Sequence, residues 1–196
     1  MTLKESDRIL APGDPAPDFS LPGVDGGTHA LNDFADYDAL LVVFTCNHCP
    51  YAKAKIPVMN QLAEEYDEVA VVGINPNDAD EYPEDSFDAM QELAEQGEIR
   101  YDAYLRDTEQ AVAEQYGAVC TPDPFLFANR GGTFVLVYHG RFDDAMSPDE
   151  EPSGDPGFEM RRAIDAVLAG KPVEQQFRPS QGCSIKWTDG NEPDYW

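Results

Sequence analysis

The sequence predicts an α/β sandwich around a mixed sheet, parallel at first and antiparallel at the close. Three observations carry that expectation. Strand-length apolar runs alternate with segments whose apolar residues recur at helical spacing. The run Ala39–Phe44 is apolar throughout, as suits a strand covered on both faces of a sheet. Two further apolar runs, 125–127 and 134–138, flank the turn Asn129-Arg130-Gly131-Gly132 and read as a closing hairpin. At 196 residues the chain has the length of one domain, which buries roughly 70% of the surface its unfolded form exposes. Residues 1–196 are therefore read as a single unit, with a core over about 14–172 and a tail over 173–196.

Taken in order, Ala16-Pro17-Asp18-Phe19-Ser20-Leu21-Pro22 leads through Gly26-Gly27 to Thr28-His29-Ala30-Leu31 as an irregular hairpin of structural role. The strand at Ala39–Phe44 ends at two cysteines. Beyond them Ala54, Val58, Leu62, Ala63 and Tyr66 mark a helix over 50–66, with a kink at Pro57. A second covered strand is expected at 69–74 and, past a polar loop, a helix at 86–96 with Phe87, Met90, Leu93 and Ala94 on one side. A short strand at 103–105 precedes a helix framed by Thr108 and Ala111 and ended by Gly117. Residues 120–124 read as a loop, the hairpin follows, and a last helix covers 157–169. The stretch 147–157, rich in Pro, Asp and Glu, reads as a surface loop, and the tail from Pro179 shows no regular period.

Composition excludes several function classes. The 38 acidic against 13 basic side chains give a net charge of −25, and the few Lys and Arg are scattered, so phosphate backbones are repelled rather than bound. The acid is spread among apolar segments, which indicates a solvated acidic surface on a folded body rather than a disordered tail. Such a surface suits concentrated salt, where self-repulsion is screened, and points to a halophilic host. No apolar run exceeds the six residues of Ala39–Phe44, far short of the roughly 20 a membrane helix needs. The first thirty residues carry no secretory pattern, which makes a cytoplasmic location the expectation.

Chemistry concentrates at Cys46-Asn47-His48-Cys49. Of the four cysteines, at 46, 49, 120 and 183, only the first two share a Cys-x-x-Cys spacing. A strand delivers Cys46 to the start of a helix, where free N–H groups and the macrodipole favour an anion, and thiolate is the reactive form. Cys46 is thus the expected nucleophile and Cys49 the resolving thiol. His48 either adds an imidazolium charge that stabilises the Cys46 thiolate further, or is an exposed turn residue. In the first case the reduced form gains and the pair shifts toward the oxidising end of the redoxin range. Structural zinc competes poorly, because no second cysteine pair completes four ligands. Copper carriage by the same cysteines with His139 is the other metal reading, although His139 reads better as a surface residue at a strand end.

These residues resemble the thioredoxin-like redoxin family, the group related to AhpC/TSA proteins. Ala16-Pro17-Asp18-Phe19-Ser20-Leu21 is similar to its N-terminal lead-in, Phe44-Thr45-Cys46-Asn47-His48-Cys49-Pro50-Tyr51 to its active turn, and the stretch from Tyr116-Gly117 through Cys120-Thr121-Pro122-Asp123-Pro124-Phe125-Leu126 to its cis-proline loop. The resemblance implies a thioredoxin-like three-layer sandwich, with a mixed central sheet flanked by helices, an N-terminal hairpin extension and an irregular C-terminal tail. It implies a cis bond at Pro122 rather than Pro124, with Pro122 shaping the docking groove and Thr121 and Asn47 meeting the substrate. It also implies that Cys120 lies close to Cys46, either as an auxiliary thiol or as a small buried hydrophobe. Cys183 in the tail is open between the same two roles. Two departures stand out. Thr45 and Leu40 occupy positions where thioredoxins proper have Trp and a buried Asp, and Val43 stands where a peroxiredoxin frame would put Thr before its cysteine.

The expectation is a thiol-disulfide oxidoreductase that cycles a Cys46–Cys49 disulfide and needs no bound cofactor or metal. Its partners would be protein or small-molecule thiols and disulfides, with a thiol or flavin reductase as electron source. A thiol peroxidase is the alternative, in which Cys46 becomes a sulfenic acid. Carriage of copper or zinc by the same cysteines is a third.

Overall fold

The computed structural model describes residues 2–174 and 176–196. Ten strands are present among them: β1 (Leu3–Glu5), β2 (Ser20–Pro22), β3 (Thr28–Ala30), β4 (Ala39–Phe44), β5 (Val69–Asn75), β6 (Ala103–Arg106), β7 (Cys120–Thr121), β8 (Asp123–Asn129), β9 (Phe134–His139) and β10 (Gln181–Ser184). The helices are α1 (Pro50–Lys53), α2 (Ile56–Glu65), α3 (Phe87–Glu95), α4 (Ala111–Tyr116) and α5 (Phe158–Leu168), with 3-10 turns at Leu31–Phe34 and Pro83–Asp85.

The central sheet has the order β6-β5-β4-β8-β9. Strands β4, β5 and β6 run parallel, while β8 and β9 are antiparallel to their neighbours, as the element order predicts. Alternation along β4 divides the core into two layers. Leu40, Val42 and Phe44 face Tyr116, Phe125 and Phe127, with Phe44 edge-on to Tyr116 at 5.3 Å between ring centroids. Leu41 and Val43 face Met59 and Leu62 of α2 and Met160 and Ile164 of α5. Because both faces are covered, β4 is apolar at every position.

The structure departs from the sequence reading at several points. The expected helix over 50–66 is two helices, α1 and α2, because Pro57 at the start of α2 lacks the N–H that a continuous helix needs. At the start of α4, the Asp107 carboxylate rather than Thr108 accepts the Ala113 N–H at 2.8 Å, while Gly117 at φ 72° ends the helix as expected. Residues 120–121 and 123–124 are strand rather than loop, the end of β7 and the start of β8 on either side of Pro122.

The largest departure is the tail. Expected to be irregular, it contains β10, which lies between β1 and β7 in a second, three-stranded sheet. Its pairing places Cys183 opposite Leu3 on one side and Thr121 on the other. Ile185 and Trp187 follow it into the core layer that holds Phe44 and Tyr116. A four-residue strand with one apolar side chain offers no period to read, so only the tertiary pairing defines it. His139 is also buried rather than exposed: its ring stacks on Phe125 at 3.9 Å, and its Nε2 is 2.8 Å from Asp123 Oδ1.

Candidate active site

Cys46 follows β4 by two residues, and Cys49 caps α1, whose first residue is Pro50. Opposite them stands Thr121, whose bond to Pro122 is cis. Cys46 Sγ is hydrogen-bonded to the Thr121 hydroxyl at 3.1 Å, and Cys49 Sγ lies 3.5 Å from the Thr121 carbonyl oxygen. Cys183, held by β10 against the same residue, forms a disulfide with Cys49 across a Cα–Cα distance of 6.2 Å. The expected Cys46–Cys49 disulfide is therefore replaced here by Cys49–Cys183, and Cys46 is a free thiol. The physical reason lies in the tail: β10 brings a third sulfur to the cysteine turn from a residue 134 positions further along the chain. All three sulfurs are fully buried.

The Cys46 turn rests on a polar scaffold that sequence reasoning did not anticipate. The buried Asp85 carboxylate accepts the Asn47 N–H at 2.6 Å, His48 Nδ1 at 2.5 Å, the Asn77 amide at 2.8 Å and, more loosely, the Asn75 amide at 3.3 Å. Tyr104 donates to the Asn47 side-chain oxygen at 2.7 Å, and the Asn47 amide donates to Glu84 O at 2.8 Å. Both ends of the Asn47 side chain, expected to meet substrate, are thus committed within the protein. His48 stacks on Tyr82 at 4.8 Å, and its Nε2 is buried without a partner. Nothing in the sequence marks Asp85 among 38 acidic residues, and the Asn-Pro-Asn stretch at 75–77 resembles an ordinary loop.

Electrostatics in this oxidised form run against the expected stabilised thiolate. Burial pushes the Cys46 thiol up to about 12, and the Asp85 carboxylate adds to the rise. The Thr121 hydroxyl, the Cys49 N–H and the Lys186 charge oppose that shift without overcoming it. Burial also works against the Asp85 carboxylate, yet the bonds from His48, Asn77 and Asn47 and the His48 charge hold its pKa below the ordinary value. Helix α1 is a single turn, so its macrodipole is small beside the cost of desolvation.

Of the remaining candidates, Cys120 is fully buried and donates weakly to Pro122 O at 3.8 Å. Alternation along β7 points Cys120 to the opposite face from Thr121, whose hydroxyl meets Cys46. Cys46, His48 and Asp85 place one ligand-type atom each within 4.8 Å of one another. Three such groups, with Asp85 already accepting four hydrogen bonds, fall short of the four-ligand set of a structural zinc. His139, the third ligand in the copper reading, is engaged with Asp123 instead.

The AhpC/TSA family model matches residues 12–141, which include the cysteine turn and the cis-proline strand pair. The chain belongs to the AhpC/TSA family. Among solved structures, this family member is similar to an uncharacterized conserved protein from Geobacillus kaustophilus, with 39% identity, a TM-score of 0.88 and coverage of 96% of this chain and 97% of that one. A hypothetical protein from Sinorhizobium meliloti shares 40% identity over 95% and 99% of the two chains, with a TM-score of 0.85. A candidate thiol:disulfide interchange protein DsbE from Chlorobium tepidum matches at 26% identity and a TM-score of 0.59, over 81% of this chain and 99% of that one. No curated protein matches the chain in sequence. Fold and family together make it a redox thiol protein of the thioredoxin and peroxiredoxin type. Among the described residues, no helix is long and apolar enough to cross a membrane.

Proposed function

We propose that this AhpC/TSA protein is a thiol-disulfide oxidoreductase in which Cys46 attacks a disulfide and Cys49 resolves the mixed disulfide. One observation carries the reading. A cysteine-bearing strand is already paired in antiparallel register with Thr121, ahead of the cis Pro122, and its sulfur is bonded to Cys49. The site thus accommodates an extended segment with a disulfide at its centre, which is the geometry of exchange between a thiol pair and a protein chain. A peroxide needs no such strand edge. The cycle runs on the sulfurs alone, with thiols and disulfides as partners and a dithiol reductant restoring the starting state, so the reading requires no bound cofactor.

The test is reduction of the interchain disulfides of insulin by the protein with dithiothreitol as electron donor. The expected result is acceleration over dithiothreitol alone, abolished by Cys46→Ser. Rapid consumption of peroxide by a protein that leaves insulin untouched would replace this reading with the peroxidase one. Stoichiometric zinc or copper in protein purified without chelator would point to the carrier instead.

A further inference from the structure

The Cys49–Cys183 bond admits a simple account, a fixed cross-link that holds the tail. The tail, however, is anchored without it. Ser6 and Ser180 exchange hydrogen bonds, with Ser6 N–H donating to Ser180 O at 2.9 Å and Ser180 N–H to Ser6 Oγ at 2.8 Å. Ser180 Oγ donates to Pro122 O at 2.7 Å, and Ile185 N–H to Val119 O at 3.1 Å. Trp187 is buried beyond them. What the bond does change is the state of the cysteine turn, because it occupies the sulfur that the oxidoreductase reading pairs with Cys46.

We infer that Cys183 is a third redox thiol, which takes the disulfide from the Cys46–Cys49 pair and returns Cys46 to its thiol form. The inference rests on the oxidoreductase reading above and extends its reaction sequence. Thr121 organises the transfer: its hydroxyl holds Cys46, its carbonyl lies against Cys49, and its backbone pairs with Cys183. In the first step the Cys46 thiolate attacks a substrate disulfide, forming a mixed disulfide and releasing one substrate thiolate. The Cys49 thiolate then attacks Cys46 Sγ, forming Cys46–Cys49 and releasing the second substrate thiolate. In the third step the Cys183 thiolate attacks Cys49 Sγ, the Cys46–Cys49 bond breaks, and Cys46 leaves as a thiolate that takes up one proton. Two electrons have passed from Cys49 and Cys183 to the substrate disulfide, and an external dithiol resets the protein.

Burial and the Asp85 carboxylate make Cys46 hold its proton once it has left, while three contacts ease its departure as an anion. The Thr121 hydroxyl, the Cys49 N–H and Lys186 all favour its anion as it departs. Lys186 arrives on the same tail as Cys183 and is steered by Ser184, whose carbonyl accepts its Nζ at 2.5 Å and whose hydroxyl lies at 3.1 Å. Once protonated in its buried position, Cys46 stays a thiol and does not attack back. The transfer therefore ends in a state whose nucleophile is intact and sealed from solvent.

The test is a time course of fully reduced wild-type protein mixed with one equivalent of oxidised glutathione, quenched by acid, alkylated after denaturation and mapped by mass spectrometry. Expected is a Cys46–Cys49 disulfide that appears first and decays into Cys49–Cys183, with Cys46 recovered as an alkylated thiol at the end. Cys183→Ser and Cys183→Ala proteins should stop at Cys46–Cys49. A wild-type end point at Cys46–Cys49 would overturn the relay while leaving the oxidoreductase reading intact. So would formation of Cys49–Cys183 at the wild-type rate in a Cys46→Ser protein, because the bond would then form without the relay. Failure of Cys46 to react with glutathione at all removes the oxidoreductase reading and the relay with it.

Discussion

The cover over Cys46 can be lifted at one residue. A Cβ added at Gly182 would stand 2.5 Å from the Thr121 carbonyl carbon and clash with the carbonyl oxygen, and both are backbone atoms that cannot swing aside. Gly182→Ala should therefore separate β10 from β7 and admit water to Cys46, removing the burial that is the leading cause of its raised pKa. With a pKa of about 12, Cys46 at pH 8 is thiolate in roughly one molecule in ten thousand, against about one in four for an ordinary cysteine near 8.5. That is a deficit of roughly 2,000-fold, of which the greater nucleophilicity of a high-pKa thiolate recovers about 40-fold at a Brønsted slope near 0.45. The net handicap is about 60-fold before any steric shielding is counted. The assay compares pseudo-first-order reaction with a small chromogenic disulfide at pH 8, in proteins where Cys49→Ser, Cys120→Ala and Cys183→Ser leave Cys46 as the sole thiol. Gly182→Ala in that background should raise the rate by a factor of tens or more. A change of less than about threefold, with β10 shown to be detached by amide exchange, would refute the claim that tail burial silences Cys46.

Three further outcomes follow from the same contacts. Removing the Cys49–Cys183 cross-link with Cys183→Ser should lower stability in denaturant titrations under oxidising conditions by up to about 5 kcal/mol, the chain-entropy value for a bond spanning 134 residues; an unchanged midpoint would mean that the bond does not form in solution. Asp85 has a folded pKa below its unfolded one, so its carboxylate contributes stability above the ordinary carboxylate range, and that contribution is lost as pH falls through the folded value. The acid limb of a stability-pH curve should flatten in Asp85→Asn, which should also lose roughly 1–3 kcal/mol at neutral pH as the buried carboxylate that accepts from Asn47, His48 and Asn77 is removed. The net charge of −25 predicts a higher Tm in molar salt than in dilute buffer, where the acidic surface repels itself; equal melting in both would remove the halophilic expectation.

Much of the fold was legible because its signals are local. Strand β4 is apolar at every position, α3 begins at Ser86, whose hydroxyl accepts the Ala89 N–H, and the β8–β9 hairpin carries its own glycine turn. The cysteine turn was legible for the same reason, since Cys46 and Cys49 lie within one short motif. What escaped is non-local. Cys183 reaches Cys49 only because β1, from the other end of the chain, and β7 clasp β10 between them. Asp85 is an unremarkable acid until folding brings Asn47, His48, Asn75 and Asn77 around it. The thiolate expectation failed on a quantity that no motif encodes: the helix start favours the anion modestly, whereas complete burial costs far more.

The two halves of the site are held with unequal firmness, and this decides which half moves during exchange. The turn bearing Cys46 continues from β4, which is paired along all six residues on both sides and tied down by the Asp85 network. The strand bearing Cys183 pairs over three residues with β1 and two with β7, close to both ends of the chain. Local opening starts where few buried contacts and short ladders meet, so β10 should open well below the free energy at which β4 does. Native-state hydrogen exchange on reduced protein makes the distinction visible. The amides of Val42 and Val43 should exchange only through global unfolding, and those of Cys183 and Ser184 at a lower free energy. Equal protection in both strands would mean that the tail cannot lift without unfolding the sheet, and access to Cys46 would then have to come through its own turn.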